Sequence, residues 1–304
     1  MDNTLMKKIM NIGNATLDII IAMDAYPIED KKHLALGQRF QRGGNAANTS
    51  DVLAQLGCDV SLLVPLADDD ASNTICHSLE SQGVNLSHCI HHKGSTSPTS
   101  YILTNEQSKT RTIIHCRDLP EFLAEDFADI SLENYNLLHF EGRNIAVLKE
   151  MLLRARTAAP NAILSLEIEK PRKNIEFLIQ LADLIVFSNS YYQYTQSNTI
   201  ADFFQTMRQY SNTATFVCSR GSEGAYGSEA EQAYVHSPAF NFGDVVDTVG
   251  AGDTFNAGLL ASFCEPSLTL QECLHNACLL ASKKVTQKGF AELTSFDLTP
   301  LGVR

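Results

Sequence analysis

YNLLHF (135–140), AILSLEI (162–168), LIVFS (184–188) and ATFVCS (214–219) decide the fold of this 304-residue chain. Each is a short apolar run bounded by polar or turn-forming residues, the pattern of a buried strand. Between them, residues 144–157, 173–181 and 200–210 carry apolar side chains at helical spacing. Such alternation predicts a parallel sheet with helices on both faces, because a parallel neighbour is reached only through a crossover.

Upstream, KKIMNIG (7–13) reads as a first strand ending at a glycine, and LDIIIAM (17–23) as a second β-rich run. QRGGNAANTSDVLAQLG (41–57) opens on glycines and continues as a helix from Asn45 to Leu56, with Gly57 as its stop. CDVSLLVPLA (58–67) is a buried strand, and Asp70–Gln82 a helix ending at Gly83. Residues 86–116 differ: SYILT and TRTIIHC alternate around the turn-like NEQSK, with no helix between them. With the 17–40 segment they predict a small all-β excursion. Downstream, two helices are expected near 251–264 and 269–286.

The length accommodates one large α/β domain, or a main domain with a small insertion. A formal net charge of −12 argues against nucleic acid or an anionic membrane as partner, since both reward clustered Lys and Arg. The 8 cysteines form no CxxC pair, which points to reduced thiols and a cytoplasmic protein. No apolar stretch is long enough to span a bilayer. His88, Cys89, His91 and His92 are the densest group of candidate metal ligands. On a strand, neighbours point to opposite faces, so a tetrahedral site there is not expected.

DTVGAGDTFNAG (247–258) is the strongest local signal. A helix beginning near Ala251 would leave the N–H groups of Gly250, Ala251, Gly252 and Asp253 at its positive end, a site for phosphate or another oxyanion. A carboxylate on that first turn has two readings. Asp253 could accept the proton of an attacking hydroxyl. It could equally be an ordinary dipole-stabilising carboxylate, and spacing alone does not choose.

DTVGAGDTFNAG resembles the second signature of the ribokinase-like (PfkB) carbohydrate kinases, and RGGNAANTSDVLAQLG their first. That resemblance implies an α/β fold: a ribokinase-like three-layer sandwich with a mostly parallel central sheet and a small β-sheet lid. One kinase domain would span 1–304, with the lid over about 14–42 and 88–118. Gly250, Ala251 and Gly252 would form the anion hole and Asp253 the base. Further blocks resemble the ketohexokinase (fructose 1-kinase) branch: QRFQRGGNAANTS (38–50), HHKGSTSP (91–98), RTIIH (111–115), HFEGRN (139–144), EIEKPR (167–172) and KKVTQKGF (283–290). The resemblance runs from about residue 9 to about 291. It implies transfer of a phosphoryl group from ATP to a sugar hydroxyl, most simply of D-fructose, and a homodimer clasped through the lid.

By the same resemblance Asp18, Gly44, Asn45, Asn48, Thr110, Arg111 and Glu141 are sugar-site candidates. Read alone, Asn45 could instead cap a helix and Asp18 occupy a turn. Ketohexokinases carry Gly-Asn before the matching Arg, where this chain has Lys109-Thr110. SRGSEGAYG (219–227) is similar to the family's loop over the ATP phosphates, so Gly221, Ser222 and Gly224 are nucleotide-site candidates. Asn256, Cys278 and Ser282 are expected near the adenine. Glu167 and Glu169 share one face of a strand end: they are candidate Mg²⁺ ligands, directly or through water, or simply a solvated strand-end pair. K⁺ is a further candidate cofactor. The family's Asn-x-x-Glu motif departs here to Asn189-Ser-Tyr-Tyr192. No Walker GxxxxGK[ST] sequence is present, which excludes a P-loop kinase. The rival functions are a kinase of another sugar, a sugar phosphate or a nucleoside, and a silent sugar or nucleotide sensor. Arg39, Arg42, Lys93, Lys109 and Arg111 keep a sugar phosphate open.

Overall fold

The computed structural model describes residues 6–294 apart from Glu106, Lys109 and Glu231, so Lys109 and both ends of the 1–304 span lie outside the described residues. The elements are β1 (Lys8–Ile12), β2 (Thr16–Met23), β3 (Gly37–Gly43), α1 (Asn45–Gln55), β4 (Asp59–Leu63), β5 (Pro65–Ala67), α2 (Asp70–Glu80) and β6 (Ile90–His92). Then come β7 (Thr99–Asn105), β8 (Thr110–Cys116), α3 (Glu125–Ala128), β9 (Leu137–Glu141), α4 (Ile145–Ala158) and β10 (Ile163–Ile168). The chain continues through β11 (Leu184–Phe187), α5 (Asn189–Thr195), α6 (Ile200–Arg208), β12 (Thr215–Ser219), β13 (Ala225–Ser228), β14 (Val235–Ser237), α7 (Ala251–Phe263) and α8 (Leu270–Lys284).

The large sheet has the order β14-β13-β12-β11-β10-β9-β1-β4. From β12 to β4 every pair is parallel; β13 and β14 add an antiparallel edge. Its central strands are buried on both faces, and successive side chains enter different cores. Leu137, Leu184 and Val186 pack on the side of α1, α2, α7 and α8. Leu138, Phe140, Ile185 and Phe187 pack on the side of α4, α5 and α6. Helix ends are closed by side chains where the sequence supplies them. Asp69 accepts from Ser72 N–H at the start of α2, and Thr269 with Glu272 forms a capping box on α8.

The small β excursion is a four-stranded sheet of order β3-β2-β7-β8. Its boundaries are narrower than the expected 88–118. Residues 90–92 do not join it but pair with β5 against the main body. The expected strand 58–67 is thereby split: β4 joins the large sheet and Pro65 begins a separate piece, proline being favoured at strand starts because it brings no N–H to the ladder. Residues 175–181 form 3₁₀ turns where an α-helix over 173–181 was expected, entered through Asn174 at φ 68°. No helix runs through a left-handed residue, so the expected start at 173 is lost at Asn174. The short helices α3 and α5 were not anticipated, being too brief to carry a periodic signal.

Candidate active site

β1 lies between β4 and β9, so the strand order reverses there. At such a switch point the connections leave in opposite directions and open a crevice at the carboxyl ends of the strands. A cleft of about 820 Å³ occupies that place. One wall is the small sheet, through Thr16, Asp18, Ser100, Ile102, Arg111 and His115. The other is made by Glu141 at the end of β9, Glu167 on β10 and Glu169 just beyond it, Ser219 at the end of β12, and the 248–253 turn into α7.

The turn is held from three directions. Asp247 accepts from Val249 N–H at 3.0 Å, from Arg39 of β3 at 3.0 Å, and lies 3.6 Å from the fully buried Lys284 ammonium, which also donates to the Asp247 carbonyl at 3.0 Å. Burial pushes the Asp247 carboxyl up, but Val249 N–H, Lys284 and Arg39 together outweigh it and hold the group below its ordinary value. Gly250 is the N-cap of α7 at φ 80°, and a side chain there would strike the Phe290 ring. Ala251 N–H closes the turn onto the Thr248 carbonyl at 3.3 Å. Nothing lies within 4 Å of where a Gly252 side chain would begin, so this edge of the first turn is open to the cleft.

Asp253 sits on that first turn, 8% exposed. Its carboxylate accepts from Asn48 Nδ2 of α1 at 2.6 Å. Burial, with repulsion from Glu169 and Glu141, pushes it up to about 7, against the pull of Asn48 and Arg42. Glu167 is pushed well above its ordinary value by burial and by Glu141, Asp253 and Glu169. It accepts from Asn256 at 2.8 Å and from Asn45 at 3.3 Å; Asn45 also reaches Glu169 at 3.4 Å. Asn45 is therefore the first residue of α1 and not its cap, which is Gly44 at φ 92°. A side chain on Gly44 would enter the backbone of Asn14 and Ala15. Glu141 accepts from Arg143 at 3.3 Å, and its Oε2 is buried without a partner. Asp18 faces the cleft from β2, accepting from Thr16 at 3.1 Å. Beside it Ser100 meets His115 at 3.2 Å.

A family model described as pfkB family carbohydrate kinase matches residues 6–295. The chain belongs to that family. Ketohexokinase of Mus musculus is 33% identical over 292 residues, 93% of this chain and 98% of that protein. The ATP-dependent ribose-1-phosphate kinase of Halopiger xanaduensis is 23% identical and covers 85% of each chain. Among solved structures, Arabidopsis thaliana ribokinase complexed with ribose and ATP superposes with a TM-score of 0.78 at 19% identity, covering 94% of both chains. As a pfkB family member the chain is a sugar or nucleoside kinase with a ribokinase-like α/β fold.

The cleft of this pfkB kinase gathers most of the expected residues but not all. Asp18, Gly44, Asn45, Asn48, Arg111, Glu141, Glu167, Glu169, Gly221, Gly250, Gly252, Asp253 and Asn256 line it. Arg111 crosses from β8 to Thr248 at 3.2 Å. Thr110 stands outside the lining, exposed at the start of β8 with its hydroxyl on Ser108 at 2.7 Å. Asn256, expected near an adenine, donates to Glu167 inside the carboxylate group. Cys278 and Ser282 lie apart from the cleft on the buried face of α8, with the Cys278 thiol on the Ser237 carbonyl and Ser282 accepting from Phe240 N–H. The Gly221–Glu223 turn lies at the cleft edge with Ser222 exposed, and Gly224 is pressed against Ser237 and Pro238, leaving no room for a side chain. His115 and Arg143 were not singled out as site residues, although both fall inside the RTIIH and HFEGRN blocks. Among the described residues no three His, Cys, Asp or Glu side chains are gathered as a ready metal cage, and no helix is long and apolar enough to cross a membrane.

Proposed function

We propose that this kinase transfers the terminal phosphoryl group of ATP to a hydroxyl of a ketohexose, D-fructose at its 1-hydroxyl being the simplest acceptor. The observation that carries the reading is Asp253: a buried carboxylate, poised at about 7, on the open first turn of α7. A base with that affinity is ionised enough to act near neutrality and basic enough to take a proton. Asp253 accepts the proton as the acceptor oxygen bonds to phosphorus and the bond to the ADP oxygen breaks. The Gly250 and Gly252 amides are assigned to the charge on the transferred group, which is where preorganised donors lower a barrier most, whereas Ala251, expected to share that role, has its N–H on the Thr248 carbonyl. Asp18, with Asn45 across the cleft, offers the planar polar groups that hold vicinal hydroxyls. The 33% identity to a ketohexokinase over nearly the whole chain supports the ketose.

Mg²⁺ fits the residues present. It keeps several waters and uses one or two carboxylates plus phosphate oxygens, so it needs no protein cage. Glu169 and Glu167 at the strand end would hold it through water, and it would neutralise phosphate charge. The small sheet acts as a lid within one kinase unit. Its outer face carries Ile19, Phe40, Tyr101 and Ile114 in one cross-strand row and Ile21 with Leu103 in the next, several of them exposed. A second copy clasped there would cover it, giving a homodimer.

A second reading, an anionic acceptor such as a sugar phosphate, is favoured by the basic rim formed by Arg111, Lys170 and Arg172. A coupled ADP-release assay over ketohexoses, aldoses, sugar phosphates and nucleosides separates the two. Asp253→Asn should lower turnover by at least about 100-fold with little change in melting temperature. In the native enzyme kcat/KM should fall as pH drops below about 7, because the base protonates there. Native-like turnover in Asp253→Asn removes the base assignment.

A further inference from the structure

Asn48 has both ends of its amide engaged. Oδ1 accepts from Arg42 at 2.6 Å and Nδ2 donates to Asp253 at 2.6 Å. Arg42 is 6% exposed, ion-paired to the equally buried Asp51, and lies over the Phe290 ring at 5.4 Å. Asp51 in turn accepts from Gln55 at 2.9 Å, and Gln55 donates to the Phe290 carbonyl at 2.8 Å. A guanidinium has donors only and stays charged. Asn48 can therefore meet it only with oxygen, which leaves its NH₂ group for Asp253. An amide without that constraint could turn over and present oxygen to the carboxylate, an arrangement that suits only the protonated acid.

We propose that Arg42 is a positioning residue for the catalytic base: it fixes the Asn48 amide in the one orientation that donates to ionised Asp253. This rests on the reading of Asp253 as base. Arg42 does not touch the reacting atoms and acts through Asn48. The other charged groups around Asp253 are Glu141 from β9, Glu167 from β10, Glu169 just beyond it, and Lys284 from α8. None of them changes in the variants below.

The test is the pH profile of kcat/KM for ADP release with D-fructose, or with the acceptor of the panel that the native enzyme uses fastest. The pair Arg42→Gln with Asp51→Asn removes two opposite charges together, so no buried ion is stranded. Its acid limb should move up by about one pH unit, a roughly tenfold loss on the acid side that closes at alkaline pH, as expected when a hydrogen bond to the charged form is lost. In an Asn48→Ala background the same pair should move the limb by clearly less, because only the direct attraction between Arg42 and ionised Asp253 is then left to lose. Arg42→Lys keeps both the ion pair and a donors-only head group, so its limb should stay native. An unmoved limb in the folded pair variant overturns the proposal, as does an equal shift with and without Asn48. If the pair variant fails to fold, a unit shift in Arg42→Lys overturns it. Each of these outcomes is compatible with an inactive Asp253→Asn, so the base assignment stands or falls separately.

Discussion

Gly44 and Gly250, which begin the two helices at the cleft, are like Gly224 positions where backbone geometry admits one residue type. Both have positive φ, 92° and 80°, and both are pressed against neighbours. The neighbours differ. Gly250 meets the edge of the Phe290 ring, which can turn, whereas Gly44 meets the backbone of Asn14 and Ala15, which cannot. Gly44→Ala should accordingly cost about 2 kcal/mol or more of stability, the sum of left-handed strain and overpacking. Urea unfolding checks it, and a loss below about 0.5 kcal/mol would show that the cap tolerates a side chain. Both glycines were legible in the sequence as turn formers. The collision partner was not, since Phe290 and Ala15 are brought there by the fold. Asn45 shows the converse. An Asn beside a helix start is a natural cap, yet its side chain reaches across to Glu167 and Glu169 because Gly44 already makes the turn.

At the scale of elements, β3 and β8 of the small sheet each send one arginine to the turn that precedes α7. Arg39 pairs with Asp247 and Arg111 donates to Thr248. The small sheet that forms one wall of the cleft is thus tied to the turn into α7 that forms part of the other. A partly exposed ion pair contributes less than about 1 kcal/mol. Arg39→Gln should therefore raise KM for the acceptor roughly two- to five-fold and leave kcat closer to native. Initial-rate kinetics decide this, and an unchanged KM would show that the tie does not hold the sheet in place. Strand and helix patterns revealed the large sheet well, because its strands are buried on both faces and read as continuous apolar runs. They failed at Pro65, where one apolar run serves two sheets, and at 173–181, where the left-handed Asn174 breaks the expected helix at its start. Neither partner strand nor dihedral angle is written in hydrophobic periodicity.

For the whole molecule, the unpartnered outer face of the small sheet is the feature a single chain leaves unexplained. Tyr101 and Ile114 are cross-strand neighbours there, 39% and 53% exposed. Sedimentation should find a native dimer at micromolar concentration. Tyr101→Glu with Ile114→Glu should give a folded monomer, since like charges would face each other across the clasp. A native monomer would remove the clasp. The sequence by itself determined the layered architecture, the glycine-bounded start of α7 and the family, because periodicity and motif order are properties of neighbours along the chain. Only the tertiary structure decided how Asp253 is held. Positions 42, 48 and 253 come from β3, α1 and α7 and meet in one hydrogen-bonded line, while Glu169 and Glu141 are brought close enough to repel it. Burial and Coulomb repulsion depend on distance in space, and those distances exist only once the sheet has placed its strand ends side by side.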